Sequence, residues 1–237
     1  MCFECETSAL NRRTLLKAAA AGLCVSVLPA TGAFAAGGPT TTVKPDEALA
    51  KLMAGNAKYV SAPQVCAADL AKQRGQVATS QTPWATILSC ADSRVPPELL
   101  FGGAGPGELF VARNAGNMVD TPTMGTIEYG AAVLGVPLIM VLGHERCGAV
   151  AAACDVVTKK AKFPGSIGPM VQAIVPAAEA VKRKSGDLVD NAIRESAKRT
   201  AAKIGSSSSI VAKLVKEGKL KIVAARYDLD DGKVEIF

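Results

Sequence analysis

The chain has 237 residues, 49% of them hydrophobic and 20% charged, a composition that excludes an intrinsically disordered protein and a collagen-like fibre. The formal net charge is +6, but the basic residues lie singly or in short groups without interleaved aromatic residues, so the sequence does not favour nucleic-acid binding. Aromatic residues make up only 4% of the chain, and 22 positions are glycine, which favours a helix-covered sheet with a core of Val, Ile, Leu and Ala.

Residues 1–35 have the composition of an export signal. Arg12 and Arg13 precede an apolar run over 18–28, and a small-residue segment ends at Ala35. This arrangement resembles a twin-arginine signal peptide, which implies recognition by the twin-arginine export machinery, cleavage near Ala35 and a periplasmic protein. The apolar run has about 11 residues, fewer than the ~20 that a transmembrane helix needs, so retention as a membrane anchor is the less favoured alternative.

The cysteines that remain after cleavage are Cys66, Cys90, Cys147 and Cys154. An oxidising compartment favours disulfides, so Cys66 and Cys154 form a candidate pair. Cys154 follows Cys147 by seven residues, on the same predicted helix face, and this position favours a core residue over a metal ligand. Because twin-arginine substrates are exported in the folded state, a metal can be bound inside the cell with its thiolates already coordinated.

The mature chain begins with a linker over 36–46 rich in Gly, Pro and Thr, and a single domain follows over 47–237. Strands are predicted from short apolar runs at 84–89, 109–113, 137–142, 220–227 and 234–237. Helices are predicted from apolar spacing at 47–60, 123–134, from 149 onward, and at 170–184, 188–203 and 210–217, with a turn at 206–209. This alternation predicts an α/β fold, a mostly parallel β-sheet flanked by helices.

The residues that carry chemistry follow two of the predicted strands. Cys90 ends the first strand, and His144 and Cys147 follow the third, so the carboxyl edge of a parallel sheet brings them together. Thiolate and imidazole are ligands that zinc prefers in a tetrahedral site. Asp92 either coordinates as the fourth ligand and closes the site, or pairs with Arg94 and leaves that position to water. A closed site is structural, whereas an open site is catalytic.

Other interpretations of these residues remain open at this point. A Cys–His nucleophile pair needs a third group to orient the imidazole, and Asp92 is available for that role. A closed site with two cysteines, one histidine and Asp92 suits a zinc-stabilised module without activity, and the same thiols suit a redox protein. Three convergent soft ligands favour the metal site over both.

Three motifs in order, at 90–98, 107–117 and 143–150, resemble the β-class carbonic anhydrases, in their bacterial, plant-like branch. The resemblance extends from about residue 47 to the end of the chain. It implies zinc-dependent, reversible hydration of carbon dioxide to bicarbonate and a proton through zinc-bound hydroxide. It also implies a homodimer or a larger homo-oligomer, with the active site near the subunit interface.

The resemblance assigns roles to individual residues. It implies one Zn²⁺ per chain, held by Cys90, His144 and Cys147. The catalytic dyad it implies is Asp92 and Arg94, in which the arginine keeps the fourth zinc position open.

The resemblance also implies a substrate pocket. The matching positions are Gln81, Phe110, Tyr129 and Gly148, the last through its backbone N–H. In the branch that binds inhibitory bicarbonate at a second site, a Trp stands where this chain has Ile87, so we expect an open, non-allosteric site.

His144 is the only histidine of the chain. If it binds zinc, no histidine is left to carry the product proton, and we expect proton release to depend on buffer or on carboxylate and water relays. The metal and the fold do not fix the substrate, so a related substrate such as carbon disulfide or carbonyl sulfide is the alternative.

Overall fold

The computed structural model describes residues 40–62 and 70–237. The predicted signal peptide and Cys66 of the candidate disulfide lie outside the described residues. The helices of the described part are α1 (Pro45–Ser61), α2 (Leu70–Val77), α3 (Pro97–Leu100), α4 (Thr121–Ala132), α5 (Gly148–Lys159), α6 (Ile167–Val181), α7 (Leu188–Ser207) and α8 (Ser209–Lys216). Its strands are β1 (Ala85–Cys90), β2 (Leu109–Asn114), β3 (Leu138–His144), β4 (Lys221–Tyr227) and β5 (Val234–Ile236).

The five strands form one sheet in the order β2-β1-β3-β4-β5. Neighbouring strands from β2 to β4 run parallel, and β5 pairs with β4 in the antiparallel direction. Every residue of β1 and β3 is buried, as expected for central strands of a parallel sheet that is covered by helices on both faces. The predicted α/β fold with a mostly parallel sheet is confirmed.

Apolar side chains of the sheet pack against helices on both faces. On one face, Leu52 of α1 packs in a cluster with Ile87 and Met140. On the other face, Leu88 packs with Ile127 of α4 and with side chains of α7 and α8. A third cluster joins α5, α6 and α7 next to the carboxyl end of β1. Within the described residues, no helix combines the length and the apolar character that crossing a bilayer requires.

Two of the differences between the observed and the predicted helix boundaries are each caused by a single residue. Helix α1 begins at Pro45, inside the predicted linker, because proline suits the first turn of a helix. The predicted turn at 206–209 is reduced to Ser208, since α7 continues to Ser207 and α8 begins at Ser209. The Ser208 hydroxyl caps α8 by accepting the Val211 N–H at 3.1 Å. Helix α3 was not predicted, because four residues are too few to show helical spacing.

Candidate metal centre

Three side chains predicted as ligands lie together at the carboxyl edge of the sheet. Cys90 ends β1 and His144 ends β3, and because these parallel strands are neighbours, both residues lie at the same edge. Cys147 is the N-cap residue of α5. The ligand atoms of the three side chains all lie within 4.8 Å of one another, and the three residues are buried.

The imidazole of His144 is held in the orientation that a metal ligand needs. Its Nδ1 donates to the backbone carbonyl of Glu145 at 2.8 Å, which fixes the tautomer and leaves a lone pair on Nε2. The residue is fully buried, and Nε2 has no hydrogen-bond partner among the described residues. A buried nitrogen without a partner is costly, so this atom fits a bound metal ion.

The thiols of Cys90 and Cys147 lie next to each other, so the protonation of one affects the protonation of the other. The sulfur atoms of Cys90 and Cys147 are 4.0 Å apart, and hydrogen bonding, chiefly from the Cys147 thiol, lowers the pKa of Cys90. The same neighbour, together with burial, raises the pKa of Cys147 above its ordinary value. The pair therefore gives up its first proton readily and holds the second, because two adjacent thiolates repel each other. A divalent cation between them removes this repulsion, and two thiolates with one imidazole suit zinc.

The carboxylate of Asp92 lies beside the ligand atoms and is bound by Arg94. Its Oδ1 accepts the Nε–H of Arg94 at 2.9 Å and its Oδ2 accepts an Nη2–H at 2.8 Å. These hydrogen bonds hold the pKa of Asp92 well below its usual range. The Oδ2 atom is also 3.8 Å from His144 Nε2, so the carboxylate faces the ligand group while both its oxygens are engaged by the arginine.

Arg113 fixes the backbone that carries these residues. From the end of β2, its Nε–H donates to the carbonyl of Cys90 at 2.9 Å, and its Nη2 donates to the carbonyl of Asp92 at 2.6 Å. The following loop places the N–H of Gly116 3.4 Å from the Cys90 sulfur, where it favours the thiolate. Both residues lie in the second sequence motif, over 107–117, and Arg113 is the next-to-last residue of β2, beside the end of β1. An arginine at the end of a strand was a signal for a role in the site or its scaffold, whereas no signal singled out Gly116.

Comparisons with known proteins identify relatives of this chain. A family model described as carbonic anhydrase matches residues 85–234, which include the three ligand residues. Carbonic anhydrase 2 of Mycobacterium tuberculosis is 35% identical over 189 residues, which cover 80% of this chain and 91% of that protein. The structure of Coccomyxa β-carbonic anhydrase in complex with acetazolamide superimposes with a TM-score of 0.63 at 29% identity, covering 80% of this chain and 86% of that chain. The chain belongs to the β-class carbonic anhydrase family.

A solved structure with lower sequence identity supports the fold of this carbonic anhydrase but not its function. A tetrameric β-carbonic anhydrase of Sordaria macrospora has a TM-score of 0.61 at 23% identity, covering 70% of this chain and 90% of that chain. Membership of the family favours the enzyme over the inactive zinc module and the thiol redox protein that the sequence left open.

Within one chain of this carbonic anhydrase, the predicted pocket residues do not all reach the ligands. Cys90 pairs with Asn114, whereas Phe110 lies four residues earlier on β2, about 13 Å away along the strand. The Phe110 ring lies beside Tyr129, with ring centroids 6.2 Å apart. Gln81 precedes β1, so it lies towards the opposite edge of the sheet.

The last predicted pocket residue does lie at the metal centre. Gly148 directly follows Cys147, and a Cβ added at Gly148 would meet no other atom within 4 Å. Space is therefore open beside its backbone.

Cys154 is buried in the cluster of α5, α6 and α7, which is the core position predicted as one alternative.

Proposed function

We propose that this carbonic anhydrase binds one Zn²⁺ per chain through Cys90, His144 and Cys147 and uses it for the reversible hydration of carbon dioxide. The observation that carries the proposal is the buried, unpartnered Nε2 of His144 facing two thiols. When bound, zinc makes a coordinated water acidic enough to act as a nucleophile near neutral pH, as it does in carbonic anhydrases with three histidine ligands.

The side chains around the metal position have separate roles. Asp92 remains ionised because Arg94 binds both its oxygens, and it accepts a hydrogen bond from the attacking water and orients it. The same pairing keeps the carboxylate from serving as a fourth ligand, which supports an open site at rest. The backbone N–H of Gly148 is available for an oxygen of carbon dioxide or bicarbonate.

We further propose that the enzyme is a homodimer or a larger homo-oligomer in which a second copy completes the pocket. Strand register places Phe110 about 13 Å along β2 from the residue that pairs with Cys90. Its ring lies beside that of Tyr129, and Gln81 precedes the opposite end of β1. Strand β2 forms the edge of the sheet, and five of its six residues are partly buried in the single chain, so this edge has apolar surface to pair with another copy. The apolar rings then form a wall for carbon dioxide, and Gln81 donates to a substrate oxygen.

Proton release is proposed to proceed without a histidine. His144 is the only histidine of the chain and is assigned to zinc. Buffer molecules, or carboxylates and water, therefore carry the proton away. The hydration rate should rise with buffer concentration at fixed pH, and a rate unchanged over a wide concentration range contradicts this route.

We also propose export through the twin-arginine machinery to the periplasm, with the signal cleaved near Ala35. The support is the Arg12–Arg13 pair before a short apolar run. Replacing both arginines by lysine in the full chain should leave carbonic anhydrase activity in the cytoplasmic fraction. Unchanged delivery of the double variant to the periplasm contradicts this proposal.

The test of the zinc mechanism combines two measurements on one sample of mature protein. Stopped-flow hydration of carbon dioxide is recorded from about pH 6.5 to 9, and zinc per chain is determined by metal analysis. One zinc per chain with a rate that rises through a titration supports the proposal. One zinc without hydration at any pH contradicts it and indicates a structural site or a different substrate.

A further inference from the structure

The two residues between the predicted zinc ligands His144 and Cys147 are both attached to the turn that joins β4 and β5 (228–233). The Oε2 of Glu145 accepts the backbone N–H of Leu229 at 3.1 Å. The guanidinium of Arg146 donates to both carboxylate oxygens of Asp230, at 2.6 and 3.0 Å. The carbonic anhydrase reaction proposed above gives neither side chain a role.

Glu145 also faces a buried arginine. The Arg226 side chain is only 10% exposed, and its Nη2 lies 3.6 Å from Glu145 Oε1. The Nε–H of Arg226 donates to Asp190 on α7, and its Nη1 donates to Asp228 at 2.9 Å. The carboxylate of Glu145 is therefore connected to both α7 and β4 through a guanidinium that water hardly reaches.

These acidic groups do not form a second metal site. The carboxylates of Glu145, Asp228 and Asp230 lie within 4.8 Å of one another. Arg226 and Arg146 supply the compensating positive charges, and each carboxylate accepts hydrogen bonds from one of them or from the backbone. The cluster is an ion-pair network in which the turn holds the ligand loop.

The backbone of the ligand loop needs such support. Arg146 has φ of +51°, in the left-handed region that residues other than glycine adopt at a cost. The carbonyl of Glu145 accepts the Nδ1–H of His144, and its N–H donates to the carbonyl of Tyr227 at 2.8 Å. A shift of this peptide therefore rotates the imidazole, and relaxation at Arg146 moves Cys147.

We propose that the β4–β5 turn braces the loop between two zinc ligands, with Glu145 and Arg146 as positioning residues that set the zinc affinity. The inference rests on the zinc centre proposed above. Groups that orient metal ligands typically change metal affinity by about 10- to 100-fold when they are removed. Glu145 has the larger effect, because it faces the buried Arg226, whereas the pair of Arg146 and Asp230 is exposed.

The experiment measures the dissociation constant for zinc by competition with a chelator on wild type and variants of the whole mature chain. Glu145→Ala should raise the Kd for zinc about 10- to 100-fold. Glu145→Gln keeps an acceptor for the Leu229 N–H and should recover part of this loss. The matched control is Arg199→Ala, which removes an exposed ion pair with Glu195 on α7.

A second readout separates positioning from general stability. Urea unfolding of each protein with and without zinc gives the stabilisation that zinc adds. If Glu145 positions the ligands, Glu145→Ala loses more stability in the zinc-loaded protein than in the zinc-free protein. Equal losses in both forms, or a zinc Kd within about twofold of wild type, overturn the proposal.

The exposed pair of Arg146 and Asp230 provides a second test if Glu145→Ala does not fold. Asp230→Ala and Arg146→Ala should each weaken zinc binding. The double variant should be no weaker than Arg146→Ala, because Arg146→Ala removes the pairs with both Asp230 and Glu145, and Asp230→Ala removes only the first of these. Additive effects, or none, contradict the brace. A wild-type protein that binds no zinc in this assay contradicts the zinc centre itself, which distinguishes that failure from a failure of the brace.

Discussion

The carboxylate of Asp92 has two neighbours that compete for it, the guanidinium of Arg94 and the metal position beside His144. In the structure both oxygens accept hydrogen bonds from Arg94, and the carboxylate stays 3.8 Å from His144 Nε2, beside the position proposed for zinc. The Asp92 carboxylate can orient a water molecule only while the carboxylate is ionised and fixed in position by Arg94. We therefore expect Asp92 and Arg94 to affect activity more than zinc binding.

Replacing Asp92 by Asn tests this assignment at the scale of one residue. The amide keeps the size of the side chain but is neutral, so it is a weaker acceptor for the hydrogen bond from the attacking water. The kcat/KM for hydration should therefore fall by about 10²-fold or more. Zinc per chain should stay at the wild-type value, because the three ligands are intact. Asp231→Asn, at an exposed carboxylate paired with Lys233, is the matched control. Wild-type hydration by Asp92→Asn would refute the assignment.

Much of the site was predictable from sequence because its members are close to strand ends. Cys90, His144 and Cys147 converge because β1 and β3 are neighbours, and Asp92 pairs with Arg94 two residues away. The contact of Arg146 with Asp230 spans 84 residues, so only the packed fold shows it. The positions at Gln81, Phe110 and Tyr129 came from family resemblance, and strand register places Phe110 away from the ligands of its own chain.

At the scale of elements, the sheet was predictable because its central strands are buried on both faces and are short, mostly apolar segments. The strand order was not predictable, since it depends on long-range pairing. Three features were missed. Helix α2 has a mostly polar sequence without an apolar face, and the short helix α3 and the break at Ser208 depend on one or a few residues.

The β4–β5 turn should respond to acid in a defined direction. The Arg226 guanidinium lowers the pKa of Asp228 from 3.8 to about 2. A lowered pKa in the folded state stabilises the fold at pH above 4, and this contribution disappears as the pH falls from about 4 to about 2. Asp228→Asn should therefore be less stable than wild type at pH 6, and the difference should vanish towards pH 2. Urea midpoints measured against pH test this, and a constant difference would contradict it.

The packing of helix α1 against the end of α3 requires a glycine at position 55. A Cβ added at Gly55 would overlap the carbonyl oxygen of Phe101, and because that atom belongs to the backbone, the helix must move. Gly55→Ala should destabilise the fold by about 1 to 3 kcal/mol in urea unfolding. Gly75→Ala in α2, where an added Cβ meets nothing within 4 Å, is the control and should stabilise by about 0.5 to 1 kcal/mol. Equal effects of the two substitutions would contradict the close approach.

At the scale of the whole molecule, the question is whether one copy completes the site of another. If the zinc ligands and Asp92 of one chain work with Gln81 of the second, then Asp92→Asn and Gln81→Ala homo-oligomers are both impaired. A mixed dimer of the two variants contains one site with both defects and one site with neither, so mixing after unfolding and refolding should restore up to about half of the wild-type activity per hybrid dimer. Stopped-flow hydration before and after mixing measures this gain. If each site lies within one chain, every site in the hybrid carries one defect, and mixing gives no gain over the average of the two variants.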